Sequence, residues 1–172
     1  TIEGGALVIK NDDLVKKARY LINFGIKNTE EIPELGTNGK MNEFEAAMGL
    51  CMLDEIDSIL ERRKVIFDFY YKELNQYLEF PKFNEQGTRN YSYFPILLKN
   101  EFVLKNVQSE LAKHKIFPRR YFYPSLDTLE YIDDQYCPVS RSVSARILCL
   151  PIYCSLDRND QIKIIECIKA VL

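Results

Sequence analysis

The order of strand and helix signals predicts an α/β protein, in which one long helix precedes a strand, a helix, a second strand and a last helix. Three observations carry that prediction. From Asn42 onward the apolar residues Phe44, Ala47, Met48, Cys51, Met52, Ile56, Ile59 and Leu60 recur at helical steps. The runs Tyr91-Ser92-Tyr93-Phe94-Pro95-Ile96-Leu97-Leu98 and Ile147-Leu148-Cys149-Leu150 have the aromatic and aliphatic character of strands. Amphipathic patterns accompany them, one through Leu104, Val107, Leu111 and Ala112 and one through Ile162, Ile164, Ile165, Ile168 and Val171.

Taken in order, Ala6-Leu7-Val8-Ile9 reads as a short buried strand after Gly4-Gly5. Asp12 or Asp13 can cap a helix through Leu14, Val15, Ala18, Leu21 and Ile22, with Gly25 as its C-cap. The polar stretch 26–39, with Pro33, predicts a long loop. Asn42 and Glu45 have capping-box spacing and open the long helix. Its period resumes after Glu61-Arg62-Arg63-Lys64, through Val65, Ile66, Phe69, Tyr70 and Leu74, predicting one continuous helix or two that meet at a bend. Such length suits an element linking two domains. Leu78 to Phe83 is a short extended piece, and Pro95 marks its strand as an edge or a bulge. His114 ends the next helix between two lysines, where solvent and the helix C-terminus account for it better than catalysis does. A polar loop through Asp134, a helix at 139–145 and a last helix capped by Asp157 complete the chain.

Composition narrows the function. The 172 residues can bury a real core, and 47% hydrophobic with 28% charged residues is globular. A formal net charge of -2 supplies no basic field for bulk nucleic-acid or membrane-surface binding. No apolar run reaches the ~18 residues of a membrane span. Cys51, Cys137, Cys149, Cys154 and Cys167 form no CxxC pair and accompany a single histidine, so no metal site is expected. Cys51, Cys149 and Cys167 are expected to be buried thiols, and the odd count points to a reducing, cytoplasmic setting. The opening Thr1-Ile2-Glu3-Gly4-Gly5 has neither Met nor a signal-peptide pattern and reads as a chain cut from something longer.

No catalytic pair can be built around the one histidine, and no P-loop or GxGxxG is present. Glu30-Glu31 and Asp133-Asp134 lie in polar loops and read as solvated. Two stretches remain. In Leu35-Gly36-Thr37-Asn38-Gly39-Lys40-Met41 a loop runs into the long helix; it is either an ordinary capped junction or a presentation of Asn38 and Lys40 to an anion. In Ile116-Phe117-Pro118-Arg119-Arg120-Tyr121-Phe122-Tyr123-Pro124 the arginines suit phosphate and the rings can stack. That segment is equally a strand with alternate residues buried and its arginines solvated.

Together these motifs resemble the pyridoxal-phosphate (PLP)-dependent sugar aminotransferases of the DegT/DnrJ/EryC1/StrS family. Ile2-Glu3-Gly4-Gly5-Ala6-Leu7-Val8 is similar to the segment just after the family's Schiff-base lysine. Gly36-Thr37-Asn38-Gly39-Lys40-Met41 is similar to its Gly-x-Asn-x-Arg/Lys-Met loop. Arg119 to Pro124 and Leu148-Cys149-Leu150-Pro151-Ile152-Tyr153 match its C-terminal domain. The resemblance implies the C-terminal portion of a fold-type I, aspartate aminotransferase-like PLP transferase. Residues 1–56 would end the large PLP-binding domain, and 57–172 would be the small α/β domain. The lysine would lie just before Thr1, so no catalytic residue is expected here and the isolated chain would be inactive. The implied whole is a cytoplasmic homodimer using glutamate to aminate a nucleotide-linked keto-deoxy sugar, dTDP-linked by its Arg-Arg-Tyr-Phe-Tyr-Pro form, for polysaccharide biosynthesis. Asn38 would reach the cofactor phosphate across the dimer and Lys40 the nucleotide diphosphate. Arg120, Tyr121 and Tyr123 would border the sugar-nucleotide pocket. Many members carry a histidine shortly after the proline of that last motif; here the sequence is Pro124-Ser125-Leu126-Asp127. A dehydratase of the same family and a non-enzymatic interaction module are the alternatives.

Overall fold

A computed structural model describes residues 3–133 and 135–172. Thr1, Ile2 and Asp134, which figure in the opening motif and the polar-loop reading, lie outside the described residues. The chain divides into two compact units, Thr1–Ile56 and Asp57–Leu172.

In the first unit α1 (Asp12–Leu21) is capped by Asn11 and by neither aspartate: Asn11 accepts from the Asp13 N–H at 2.9 Å. Asp12 and Asp13 instead occupy the first turn, where their charge complements the helix dipole. No strand forms at 6–9, because that run meets no neighbouring strand; Leu7 and Val8 are 76% and 93% exposed. The capping box of α2 (Glu43–Asp54) is complete, with Glu45 N–H donating to Asn42 at 2.9 Å and Asn42 N–H to Glu45 at 3.3 Å. This helix is apolar on all sides, and Phe44, Met48, Leu50 and Leu53 are exposed. Cys51 is exposed with them, against the expectation of a buried thiol: an all-round apolar helix offers its cysteine no inner face of its own. The helical run does not continue unbroken. Glu55, at φ -100 and ψ 0, separates α2 from α3 (Ile56–Leu74).

The second unit has a continuous core. Two short antiparallel strands, β1 (Phe94–Leu97) and β2 (Ile147–Leu150), pair Phe94 with Leu150 and Ile96 with Leu148. Single bridges widen this layer, Glu79 beside Leu97 and Arg119 beside Cys149. In so small a sheet both strands are close to edges, which is how Pro95 is tolerated without a ladder donor. Against it pack Ile66, Phe67, Tyr70 and Leu74 of α3, Leu104, Val107 and Leu111 of α4 (Glu101–Lys113), and Ile164, Ile165 and Ile168 of α6 (Arg158–Lys169). Phe67, Tyr70 and Phe80 crowd the Phe94 ring at 4.8 to 5.6 Å between centroids. The Tyr70 hydroxyl donates to the Pro151 carbonyl at 3.2 Å, and burial pushes its pKa up. Between the strands, α5 (Pro138–Arg146) starts on a proline, whose missing N–H costs nothing at a helix start. Asp157 caps α6 as its spacing predicts, though Ile162 faces outward and Ala112 of α4 is exposed. Cys149 and Cys167 are buried, and burial pushes both thiols up, away from reactivity.

Candidate functional site

The first unit ties two stretches of backbone into a ribbon. Thr37 N–H donates to Leu21 O at 2.8 Å, Phe24 N–H to Thr37 O at 3.0 Å and Gly39 N–H to Ile22 O at 2.8 Å. Asn23 and Asn38 face each other in an antiparallel bridge. Two glycines make the approach possible. Gly25 has φ 79, and a Cβ there would lie 1.7 Å from the Glu34 carbonyl oxygen; one on Gly36 would lie 2.1 Å from the Gly25 nitrogen. Gly25 N–H also donates to the Tyr20 carbonyl of α1 at 2.7 Å, so the glycine helps close the helix beyond its C-cap Ile22 while belonging to the ribbon.

Asn38 and Lys40 are both exposed on this ribbon. The Lys40 ammonium donates to Asn23 Oδ1 at 3.0 Å and stands 4.2 Å from the centre of the Phe24 ring. Among the described residues no carboxylate pairs with Lys40 and the Asn38 side chain makes no hydrogen bond. An amide and an ammonium so placed, with no competing acid, can hold an oxyanion such as a phosphate. The ordinary-junction reading and the anion-presenting reading therefore coexist, since the ribbon leads directly into the capped helix.

The segment from Ile116 to Pro124 splits its arginines. Arg119 exchanges backbone hydrogen bonds with Cys149 at 2.7 and 3.1 Å, leaving its side chain exposed. Arg120, the sequence-based candidate, turns into the unit instead. Its guanidinium pairs with Glu101 at 3.1 Å, donates to the Ser144 and Ala145 carbonyls at 3.3 and 3.1 Å, and lies 3.6 Å from the Tyr123 ring centre. Those carbonyls end α5, where the helix dipole favours a cation. The Arg120 hydrogen bond, aided by Lys105, holds the Glu101 carboxyl below its ordinary range. Arg120 thus braces Tyr123, and its charge is paired within the unit. Tyr121 lines a shallow cleft of about 200 Å³ with Tyr93, Arg119 and Cys149, its ring edge-on to Tyr93 at 5.3 Å. Tyr123 is 49% exposed. Asn38 and Lys40 belong to one unit and Arg120, Tyr121 and Tyr123 to the other.

After Pro124 the place of a histidine is taken by an anchored loop. Asp127 accepts from the Ser125 hydroxyl, from Cys137 N–H at 2.8 Å and from Arg141 Nε at 2.6 Å. Ser125 also shares a hydrogen bond with Ser140 at 2.7 Å. With Ser125 first among these donors, the Asp127 carboxyl is pushed down to about 2. A carboxylate so satisfied is a poor general base. Its work is to pin the loop to α5.

Sequence reasoning offered Arg119 only together with Arg120 and did not single out Asn23, Phe24 or Tyr93. Period-two alternation along Phe117, Arg119 and Tyr121 would have picked Arg119 over Arg120 for the open face. No local pattern pairs Asn23 with Lys40.

The mixed α/β architecture is that of PLP-dependent aminotransferases. The crystal structure of S. venezuelae DesV matches 95% of this chain with a TM-score of 0.84 at 20% identity, using 45% of its own length. A family model described as the DegT/DnrJ/EryC1/StrS aminotransferase family matches residues 1–169, and the chain belongs to that family. Among curated relatives, dTDP-4-amino-4,6-dideoxy-D-glucose transaminase of Shigella dysenteriae is 35% identical over 167 residues, 92% of this chain and 46% of the relative. The Escherichia coli protein of the same name is 34% identical over 174 residues, 94% of this chain and 46% of its own. The chain spans about half the length of the curated relatives it matches.

Proposed function

We propose that this chain is the C-terminal portion of a PLP-dependent transaminase that aminates a dTDP-linked keto-deoxy sugar. The observation that carries the reading is the family match over residues 1–169, together with two like-named sugar transaminases at 34 and 35% identity. Thr1–Ile56 is the end of the cofactor-binding domain and Asp57–Leu172 the small domain. The amino donor is glutamate, the lysine that carries the cofactor lies outside these residues, and the working enzyme is a cytoplasmic homodimer serving polysaccharide biosynthesis. The unpartnered apolar surface of α2 suits burial in such an assembly.

The donor set on the ribbon fits the cofactor's phosphate. Among the described residues the Asn38 amide hydrogens have no partner, and no acid competes for the adjacent Lys40. Bound PLP supplies the electron sink through which nitrogen is moved. Asn38 binds and orients its phosphate, and Lys40 neutralises the diphosphate of the nucleotide. Lysine does so as a point charge, without the bidentate fork of arginine. In the other unit Tyr121 and Tyr123 border the sugar, Tyr123 held in place by the stacked Arg120 guanidinium.

The test uses the complete protein carrying this chain, with PLP, glutamate and a dTDP-4-keto-6-deoxy sugar. Release of 2-oxoglutarate that depends on the sugar nucleotide is expected. Loss of water from the sugar without 2-oxoglutarate would show the dehydratase alternative instead.

A further inference from the structure

We propose that Asn23 and Phe24 are positioning residues that fix the Lys40 ammonium for a nucleoside diphosphate. The inference rests on the proposed role of Lys40 and adds the device that makes a flexible lysine serve it. A lysine side chain has four rotatable carbons and loses that freedom on binding a ligand. Here the freedom is already restricted. Asn23 Oδ1 takes one ammonium N–H at 3.0 Å, and the Phe24 ring, 4.2 Å away, covers another side of the charge. The remaining donor capacity faces outward, with no carboxylate of the described residues on it.

The clamp itself is fixed. The Asn23–Asn38 bridge places the residue that holds Lys40 opposite the residue assigned to the cofactor phosphate, so the two anion contacts share one backbone register. Phe24 has φ 59, a left-handed conformation uncommon for a bulky side chain, and its N–H is tied to Thr37 O at 3.0 Å. That turn puts the ring beneath the ammonium instead of in a core: Phe24 is 50% exposed. A large aromatic at a left-handed, half-exposed position is poorly explained by packing and well explained by the cation above it. Preorganisation of this kind raises affinity by lowering the ordering cost of binding.

The test measures dTDP affinity by competition with the sugar nucleotide in the complete protein. Lys40→Ala is expected to weaken dTDP by about tenfold or more, and Asn23→Ala and Phe24→Leu by about three- to tenfold each, with KM raised and kcat kept. Phe24→Tyr keeps the ring and should retain native affinity, which separates the clamp from a general folding loss in Phe24→Leu. In a Lys40→Ala background Asn23→Ala should add nothing. Affinity within twofold of native in both Asn23→Ala and Phe24→Leu, while Lys40→Ala is impaired, would overturn the clamp and leave the role of Lys40 standing. An equal effect of Asn23→Ala with or without Lys40 would overturn it as well. Native affinity in Lys40→Ala would remove the proposed role of Lys40 and the clamp with it.

Discussion

Replacing Arg120 with alanine should destabilise the small unit more than it impairs any ligand contact. The guanidinium makes two hydrogen bonds to the carbonyls that end α5 and stacks on Tyr123 at 3.6 Å. The carbonyl bonds at 3.1 and 3.3 Å contribute about 1.5 kcal/mol at the low end for a charged donor, since water can reach the vacated acceptors. The stack adds about 0.5–1 kcal/mol, and lost packing of the stem a few tenths more. The total is about 2–3 kcal/mol. With a urea m-value of about 1–3 kcal/mol/M, the midpoint should fall by about 0.7–3 M. Urea unfolding of the 172-residue chain, followed by circular dichroism, reads this directly because the sequence holds no Trp. Arg120→Lys should recover only part of the loss, lacking the planar fork. A midpoint within about 0.3 M of native, accompanied by lost sugar-nucleotide binding in the complete protein, would refute the assignment of Arg120 to the fold.

Three further outcomes are expected from the geometry. Asp127 has a folded pKa of about 2, below its ordinary value, so its contribution to stability is present above about pH 4 and is lost as the pH falls toward 2. Asp127→Asn should flatten acid unfolding in that window and lower the protection of the 125–137 loop in hydrogen exchange at neutral pH. Gly25→Ala should break the ribbon, because φ 79 and a Cβ placed 1.7 Å from Glu34 O both oppose it; a loss of at least about 2 kcal/mol in local opening, read by hydrogen exchange at Thr37 and Gly39, is expected. Leu148→Ala, in a fully buried position of β2, should cost about 2–5 kcal/mol by urea unfolding.

The helices of the small unit were legible because their partners lie in the same sequence. Leu104, Val107 and Leu111 recur on one face of α4 and are buried on that face. Asp157 and Asn42 cap where their spacing says they should. The failures concern surfaces left open among the described residues. Leu7 and Val8 are apolar enough for a strand but meet no partner strand in their unit, and Cys51 lies on a helix whose apolar sides are open. Of the two readings of the long helical run, the structure has two helices, and Glu55 parts them without Gly or Pro to mark the place.

At the site, composition could offer Asn38 and Lys40 only as one of two readings, and family resemblance supplied their roles. The division of labour between Arg119 and Arg120 follows from the bridge, since Arg119 is paired with Cys149 and Arg120 is the residue after it. Adjacent arginines look alike until the strand partner is known. The contact between Lys40 and Asn23 spans 17 residues and depends on a left-handed turn at Phe24, neither of which local pattern encodes.

Transfer of heavy nitrogen from labelled glutamate to a dTDP-4-keto-6-deoxy sugar tests the central claim most directly. The complete protein, loaded with PLP, is predicted to yield a dTDP-amino sugar carrying the label, seen by mass spectrometry, with turnover sharply reduced in Asn38→Ala. A nucleotide sugar recovered without the label, at an enzyme concentration that consumes it, would contradict the assignment as an aminotransferase.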